Sequence, residues 1–538
     1  MERSGTALIG RVARALPYAF VAACGLIPLL AVLHASWRGG AGTDAWPHLA
    51  AVLGFSLWQA ALSTLLALAA GLPLAWLLAR FRVPGRRVMR ALVLLPFVMP
   101  TVVTAAGFVA TLGPRGPLAE LWREFGGTWP TVIPSLGAVL LAHVFYNYGV
   151  VVQIVGGAWR ALGPRPAEAA ALLGATPWQV FSRVTVPLLW PAVASAALLV
   201  FIYTFGSFGV IVFLGGARMA TVEVEIWRQT AQLLRLDLAA TLALLQLGVT
   251  TLATAGYTWL TGRVAPQTPQ VSPEAPPPRR RREWLAVAAG WALVLAFSLP
   301  LLALVLRSFA PLERGASGLS LAAWRLLGEN PRGSYFFVPP AQAIGNSLLI
   351  TVVASALALA LGVLAAYSLR TPTRRVWREA LLMLPLGISA VTLGLGFVLV
   401  FGPLGRLRDL WLIPVAHALL AFPLVLRSLA PALRNLDPRL REAAALLGAT
   451  PWRAVWRVEL PLLRGALIAG AALAAAVSLG DYGAALLLGR PDAPTIPLVI
   501  GRLLGQPGAA NYAQALALAS ILLLLTGACA LLVDRSER

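Results

Sequence analysis

Apolar residues gather into about twelve long runs, near 16–36, 52–79, 88–112, 131–158, 187–214, 239–261, 285–306, 343–369, 380–403, 410–431, 461–488 and 511–533. A helix needs about 20 predominantly apolar residues to cross a bilayer, so the pattern predicts about 12 transmembrane helices and an all-α integral membrane protein. The first run is longer than the apolar core of a signal peptide and is followed by no clear small-residue cleavage site, so it reads as a retained span.

The polar stretches between the runs orient them. Arg3, Arg11 and Arg14 precede the first run. Arg80, Arg82, Arg86, Arg87 and Arg90 follow the second, with no acid among them, and Arg370, Arg374, Arg375 and Arg378 follow the eighth beside Glu379. After the first run Arg38 is balanced by Asp44, and after the fifth Arg218, Arg228 and Arg235 are mixed with Glu223, Glu225 and Asp237. Loops rich in arginine stay in the cytoplasm, so even-numbered spans are expected to end there and both termini to be cytoplasmic. Between Arg263 and Arg282 a proline-rich stretch closes on four arginines and offers nothing apolar to bury, so an extended linker is expected. It separates a first repeat, 1–262, from a second, 284–538, with the linker at 263–283. Six spans per half give both halves the same orientation, hence parallel repeats.

One eleven-residue string occurs in both halves: EAAALLGATPW, Glu168–Trp178 and again Glu442–Trp452, 274 residues apart. Each copy reads as two short helices around a turn. Glu168 and Glu442 are expected in the first turn of helix one, where a carboxylate suits the helix dipole. Gly174 and Gly448 are expected to end it, and Thr-Pro to open helix two. Gln179 completes a capping box with Thr176, whereas the second copy has Arg453 there. The same spacing relates His143 to His417, Gly206 to Gly480, Phe208 to Tyr482 and Thr221 to Thr495, while Pro96, Gly107 and Phe108 answer Pro385, Gly396 and Phe397 at a spacing of 289.

Composition narrows the class. Hydrophobic residues are 59% of the 538 and charged residues 12%, against roughly 25% charged in soluble domains. The net charge is +22, carried entirely by arginine. The arginines sit in short loops, so nucleic-acid binding is not indicated. Without lysine the chain carries no standard P-loop, and any ATPase belongs to another polypeptide. Cys24 and Cys529 lie in apolar runs, the four histidines are scattered, and no catalytic constellation or metal-ligand spacing appears. No cofactor and no enzyme chemistry are expected.

The duplicated string, with its Gly six residues after the Glu and the Val-Pro or Leu-Pro that follows, resembles the EAA loop of ABC-importer permeases. The resemblance covers most of the chain: two permease domains fused head to tail, similar to the thiamine and ferric-iron import families. It implies the type I importer permease fold in a bacterial inner membrane, with two parallel six-helix repeats and EAA loops at about 162–190 and 436–464. It implies that Glu168, Ala169, Ala170, Gly174, Glu442, Ala443, Ala444 and Gly448 couple to two copies of a separate ATP-binding subunit. It also implies a periplasmic or lipid-anchored substrate-binding protein. Thiamine or a thiamine phosphate is the first substrate implied and ferric iron the second. A self-powered secondary transporter is the alternative of another class, but it gives no reason for a duplicated EAA loop.

The candidate substrate path follows each loop. Ser207 and Phe208 stand in the fifth run, Asp481 and Tyr482 in the eleventh, and Asn147 in the fourth. Asp481 is the one acid inside a run; counted from Pro461 along a straight helix it lies about 30 Å in, near the outer side. An ionisable group there suggests function, with an interfacial helix-end group as the plain reading. Nearby aromatics suit either a cation–π wall or a membrane-surface belt, and the glycines either a helix break or close packing. His143 and His417 read as packing or interfacial residues. Gly-Asp-aromatic-Gly looks more like the thiamine branch, although Arg490-Pro491 resembles the ferric-iron branch.

Overall fold

The computed structural model describes residues 15–39, 43–216, 219–262, 276–312, 318–329, 338–370, 375–402 and 411–536. Arg3, Arg11, Arg14, Arg218, Arg374 and linker residues 263–275 lie outside the described residues. Among the described residues every regular element is helical, as expected where hydrocarbon offers the backbone no hydrogen-bond partner.

The first repeat runs α1 (Ala15–Arg38), α2 (Trp46–Arg80), α3 (Arg86–Val98), α4 (Thr101–Leu112), α5 (Leu136–Leu162), α6 (Arg165–Leu172), α7 (Pro177–Phe205), α8 (Gly209–Leu214), α9 (Val222–Ala231) and α10 (Leu236–Thr261). The second repeats this order as α11 (Arg281–Ser308), α12 (Pro340–Ser368), α13 (Arg375–Met383), α14 (Ala390–Phe401), α15 (Leu412–Arg434), α16 (Pro438–Leu446), α17 (Trp452–Leu462), α18 (Arg464–Gly480), α19 (Gly483–Leu488), α20 (Ile496–Leu504) and α21 (Ala509–Ser536). The extra member arises because α7 is continuous where α17 and α18 are bent by 74°.

Among the described residues nine helices are long and apolar enough to span, or up to twelve if each bent pair is one span. The runs near 88–112 and 380–403, expected as spans, are folded, by 110° between α3 and α4 and by 96° at the junction before α14. Corresponding positions make both folds. Pro100, extended at ψ 142, has no amide to continue α3. Its counterpart Ser389, extended at ψ 154, starts α14 afresh by accepting the Thr392 amide at 3.0 Å. The runs 187–214 and 461–488 are interrupted as well, at Gly206–Phe208 and at Asp481–Tyr482. The linker's last two arginines are not extended: Arg281 and Arg282 open α11, where Glu283 Oε2 accepts the Arg279 and Arg280 amides at 2.6 and 3.0 Å.

The repeats exchange their first helices. In each half the second-span helix packs along the fourth, α2 on α5 and α12 on α15. By contrast, α1 lies between α10 of its own half and α14 of the other, and α11 lies between α21 and α4 in the same way. Tyr18 Oη on α1 bonds Ser368 Oγ on α12 at 3.0 Å. The crossings need glycine. A Cβ on Gly107 would stand 2.8 Å from the Pro300 carbonyl oxygen of α11, and one on Gly396 3.0 Å from that of Pro28 on α1. Both contacts are with backbone, which cannot swing aside.

Gly107→Ala and Gly396→Ala are therefore expected to destabilise the purified protein, each by about 1–3 kcal/mol. Gly54→Ala is the control, because nothing lies within 4 Å of the added carbon. Thermal unfolding in detergent checks this: equal melting temperatures for the three variants would remove the close-approach argument.

Candidate functional site: a cavity between the repeats and the duplicated loops

The interrupted helices meet around a cavity of about 370 Å³. Asp481, Tyr482, Ser207, Phe208 and Asn147 all line it, so residues as much as 335 positions apart share one wall. The breaks are pinned by the duplicated histidines. His143 Nε2 bonds Ser207 Oγ at 2.9 Å, and His417 Nε2 bonds Asp481 Oδ2 at 3.2 Å. Both residues of each pair keep the 274 spacing, so one contact has been built twice with different chemistry. The other ring nitrogens are held too: His143 Nδ1 by Gln59 at 2.8 Å and Ser63 at 3.0 Å, His417 Nδ1 by Ser478 at 2.9 Å. The histidines are thus more than packing residues. Each ties the fourth-span helix to a broken helix beside the cavity.

Asp481 Oδ2 also accepts the Ala485 amide at 3.0 Å, satisfying a donor at the start of α19 that the break exposes. The straight-helix count for its depth fails, because α17 and α18 are bent and α18 ends at Gly480. The aromatics form no surface belt. Phe208 and Tyr482, each about nine-tenths buried, stack across the repeat boundary with centroids 5.7 Å apart, and Phe213 lies 5.3 Å from Tyr482. Phe205, which sequence places nearby, is instead buried against Phe201. Tyr146 joins Asn147 on the cavity wall, whereas Tyr148 packs on Phe297 at 4.9 Å. Arg490 is turned to its neighbour Asp492, donating to both carboxylate oxygens at 2.8 and 2.6 Å and holding that carboxyl below its usual pKa.

Sequence reasoning left Glu223 and Glu225 in a solvated loop. They are buried in α9, which folds back against α10. Glu225 is paired, with His48 Nε2 at 3.0 Å, Gln229 Nε2 at 2.6 Å and Arg228 Nη2 at 3.0 Å. Glu223 lines the cavity. The available signal was Thr221, which answers Thr495 ahead of a matching short helix, and the apolar Val222, Val224 and Ile226 interleaved with the two acids.

The duplicated loops are near copies. In both, helix one closes in a Schellman turn: Gly174 at φ 85 and Gly448 at φ 78, with the Ala175 amide on the Ala170 carbonyl at 3.1 Å and the Ala449 amide on that of Ala444 at 2.9 Å. The Thr176–Gln179 capping box is present, and Thr450 Oγ1 accepts only the Arg453 amide. Glu442 does not lie in the first turn. Asp437 caps the Arg439 amide at 2.9 Å and starts α16 at Pro438, one turn ahead of it. Glu168, Ala169, Gly174, Glu442, Ala443 and Gly448 are exposed, Ala170 is half-buried and Ala444 is buried. Leucines stand out beside them: Leu172, Leu173, Leu446 and Leu447 are each 88–89% exposed.

One feature belongs to the second loop alone. Glu459, nearly buried, accepts Tyr367 Oη at 2.5 Å, Arg370 Nη1 at 3.0 Å and a two-pronged bond from Arg441 at 2.9 and 3.0 Å. Arg441 immediately precedes Glu442, so the cluster ties α16 to α12. At the 274 spacing the first repeat has Thr185 and Ala167 in place of Glu459 and Arg441.

Residues 71–266 and 358–538 match the family described as binding-protein-dependent transport system inner membrane component. The chain belongs to that family. It is similar to the thiamine transport system permease protein ThiP of Salmonella typhimurium, 28% identical over 491 residues that cover 89% of this chain and 88% of that one. ThiP of Escherichia coli is 29% identical over 500 residues, 89% of each chain. The molybdenum transport system permease protein ModB of Azotobacter vinelandii is 40% identical over 184 residues, 34% of this chain and 80% of that one. The permease is thus a multi-pass membrane protein and a transport subunit rather than an enzyme, and its family works with binding proteins.

Glu459→Ala in this permease leaves Tyr367 and two partly exposed arginines without their shared acceptor, a loss of about 1–2 kcal/mol once solvent access to the arginines is allowed for. Thr185→Ala, at the equivalent place in the first repeat, is expected to be neutral. Comparing the two melting temperatures tests whether the cluster holds the second loop: identical values would reduce it to surface decoration.

Proposed function

We propose that this permease is the membrane subunit of an ATP-driven importer for thiamine or a thiamine phosphate, working with two copies of a separate ATP-binding subunit and a periplasmic or lipid-anchored binding protein. The observation that carries the coupling part is the pair of matching loops, each with two leucines about nine-tenths exposed on a rigid, Schellman-capped helix. Exposed apolar side chains grouped on one face mark a docking surface, and two equal faces suit a partner present twice. In this reading the loops 162–190 and 436–464 are cytoplasmic, as are both termini and the linker 263–283 between repeats 1–262 and 284–538. Closure of the ATPase dimer on ATP moves both loops, and the halves rock about the cavity.

Names of relatives supply the substrate, and the cavity is chemically compatible with it. Thiamine carries a thiazolium cation. Asp481 offers a negative charge, and the stacked Phe208 and Tyr482 rings offer cation–π contact. Ser207 and Asn147 add hydrogen-bonding groups to the same wall.

Gly174→Asp and Gly448→Asp put a charged residue at a left-handed position on the docking face. Either is expected to lower ATPase co-purification and substrate-stimulated hydrolysis several-fold, and wild-type values for both readouts would refute the coupling assignment. Asp481→Asn removes charge and keeps size. It is expected to reduce uptake of labelled thiamine into vesicles holding the complete complex about tenfold, the worth of one charge-assisted hydrogen bond, with basal hydrolysis unchanged. Labelled ferric iron is the parallel arm: loss of iron uptake with no thiamine transport in the wild type would assign the substrate to iron.

A further inference from the structure

Glu223 is the second carboxylate of this cavity, and sequence reasoning did not place it there. It is 1% exposed and lines the cavity from the first repeat, whereas Asp481 lines it from the second. Oε1 accepts Gln246 Nε2 at 2.6 Å, and Oε2 has no hydrogen-bond partner. The Ser389 hydroxyl lies close by; as the cap of α14 its oxygen accepts the Thr392 amide, which leaves its O–H, a neutral donor, facing Glu223. Asp481, by comparison, commits Oδ2 both to His417 and to the Ala485 amide.

A buried carboxylate oxygen without a donor is costly unless something supplies one. The nearest groups, Gln246 and Ser389, are neutral donors that leave its charge uncompensated. Among the described residues no arginine lines the cavity, and Arg228, five positions on, is paired with Glu225. Gln246 fixes the side chain without neutralising it, and its own Oε1 accepts Thr392 Oγ1 of the second repeat at 3.3 Å. Glu223 is therefore held from behind, through Gln246, by the opposite half of the molecule. A cation in the cavity would lie beside this carboxylate, and a neighbouring cation favours its ionised form.

We propose that Glu223 is a substrate-binding residue, the second anionic ligand of the cavity, so that an organic cation is held between one carboxylate from each repeat. The inference rests on the cavity's being the substrate path. It adds that binding is shared across the boundary between the halves, so that their relative movement pulls the two ligands apart and releases the cation. One permanent bidentate cage on a single helix would not open in this way.

The test uses the full complex with its ATPase and thiamine-loaded binding protein in vesicles. Glu223→Gln keeps the Gln246 contact within reach and deletes charge, and it is expected to cut labelled-thiamine uptake about tenfold. Hydrolysis stimulated by the loaded binding protein should persist, so that transport per ATP falls, and Glu223→Asp should recover most of the uptake. Wild-type uptake in Glu223→Gln alongside impaired Asp481→Asn would overturn this proposal and spare the cavity. Wild-type uptake in both would remove the cavity from the substrate path. If Glu223→Gln fails to assemble, Glu223→Cys in a Cys24→Ser, Cys529→Ser background is labelled with a cationic thiol reagent during turnover. Slowing of that labelling by thiamine supports the proposal, and an unchanged rate overturns it.

Discussion

Hydrocarbon gives the backbone nothing to bond to, and each interruption of a helix in this permease is organised by that constraint. Four helices stop at corresponding places in the two repeats, and at the two stops of the second repeat a side chain accepts an amide that the break exposes. Asp481 accepts the Ala485 amide, and Ser389 accepts that of Thr392. His143 and His417 then anchor the broken segments to the fourth-span helices. Three of these groups, His143, Ser207 and Asp481, also line the cavity, so polar side chains reach it because the helices are broken there.

Duplication supplied the architecture, and divergence within it supplied the chemistry. Ser207 and Asp481 occupy equivalent positions and make equivalent contacts with a histidine, yet one is neutral and the other is a carboxylate. The cavity carboxylate of the first half, Glu223, comes instead from the short helix after the break. The loops diverge in the opposite sense: exposed leucines and Schellman turns are alike, while only the second loop is bound to its spans by the Glu459 cluster. The first has a helix that continues unbroken from Pro177 to Phe205. A continuous helix transmits displacement by its own stiffness, and a bent one needs a brace. The ion cluster is such a brace, placed beside the 74° bend.

The exchange of α1 and α11 ties each half to the other. Each crosses its neighbour at a glycine where backbone touches backbone, and interfaces packed this tightly reorient as units instead of deforming. The boundary at the cavity is different in kind, with side chains in contact: the Phe208–Tyr482 and Phe213–Tyr482 ring pairs and the Gln246–Thr392 bond.

Much of this was legible before folding. Run length and arginine placement are one-dimensional properties, so the number of apolar segments, the all-helical class and the division near 263–283 could be read directly. The duplicated string was legible because Gly174 and Gly448 need a positive φ and Thr-Pro starts a helix, both local requirements. Asp481, Tyr482, Ser207, Phe208 and Asn147 could be picked out as polar or aromatic groups in apolar runs, though not assembled. Tertiary structure alone decided that they share one cavity, because the breaks that aim them there depend on packing against α4 and α14. It alone moved Glu223 and Glu225 from an apparent loop into the core, since an acid's burial depends on partners such as Gln246 and His48 that lie 23 and 177 residues away. Hydropathy registers how apolar a segment is, and a carboxylate satisfied by distant donors looks, in sequence, the same as one dissolved in water.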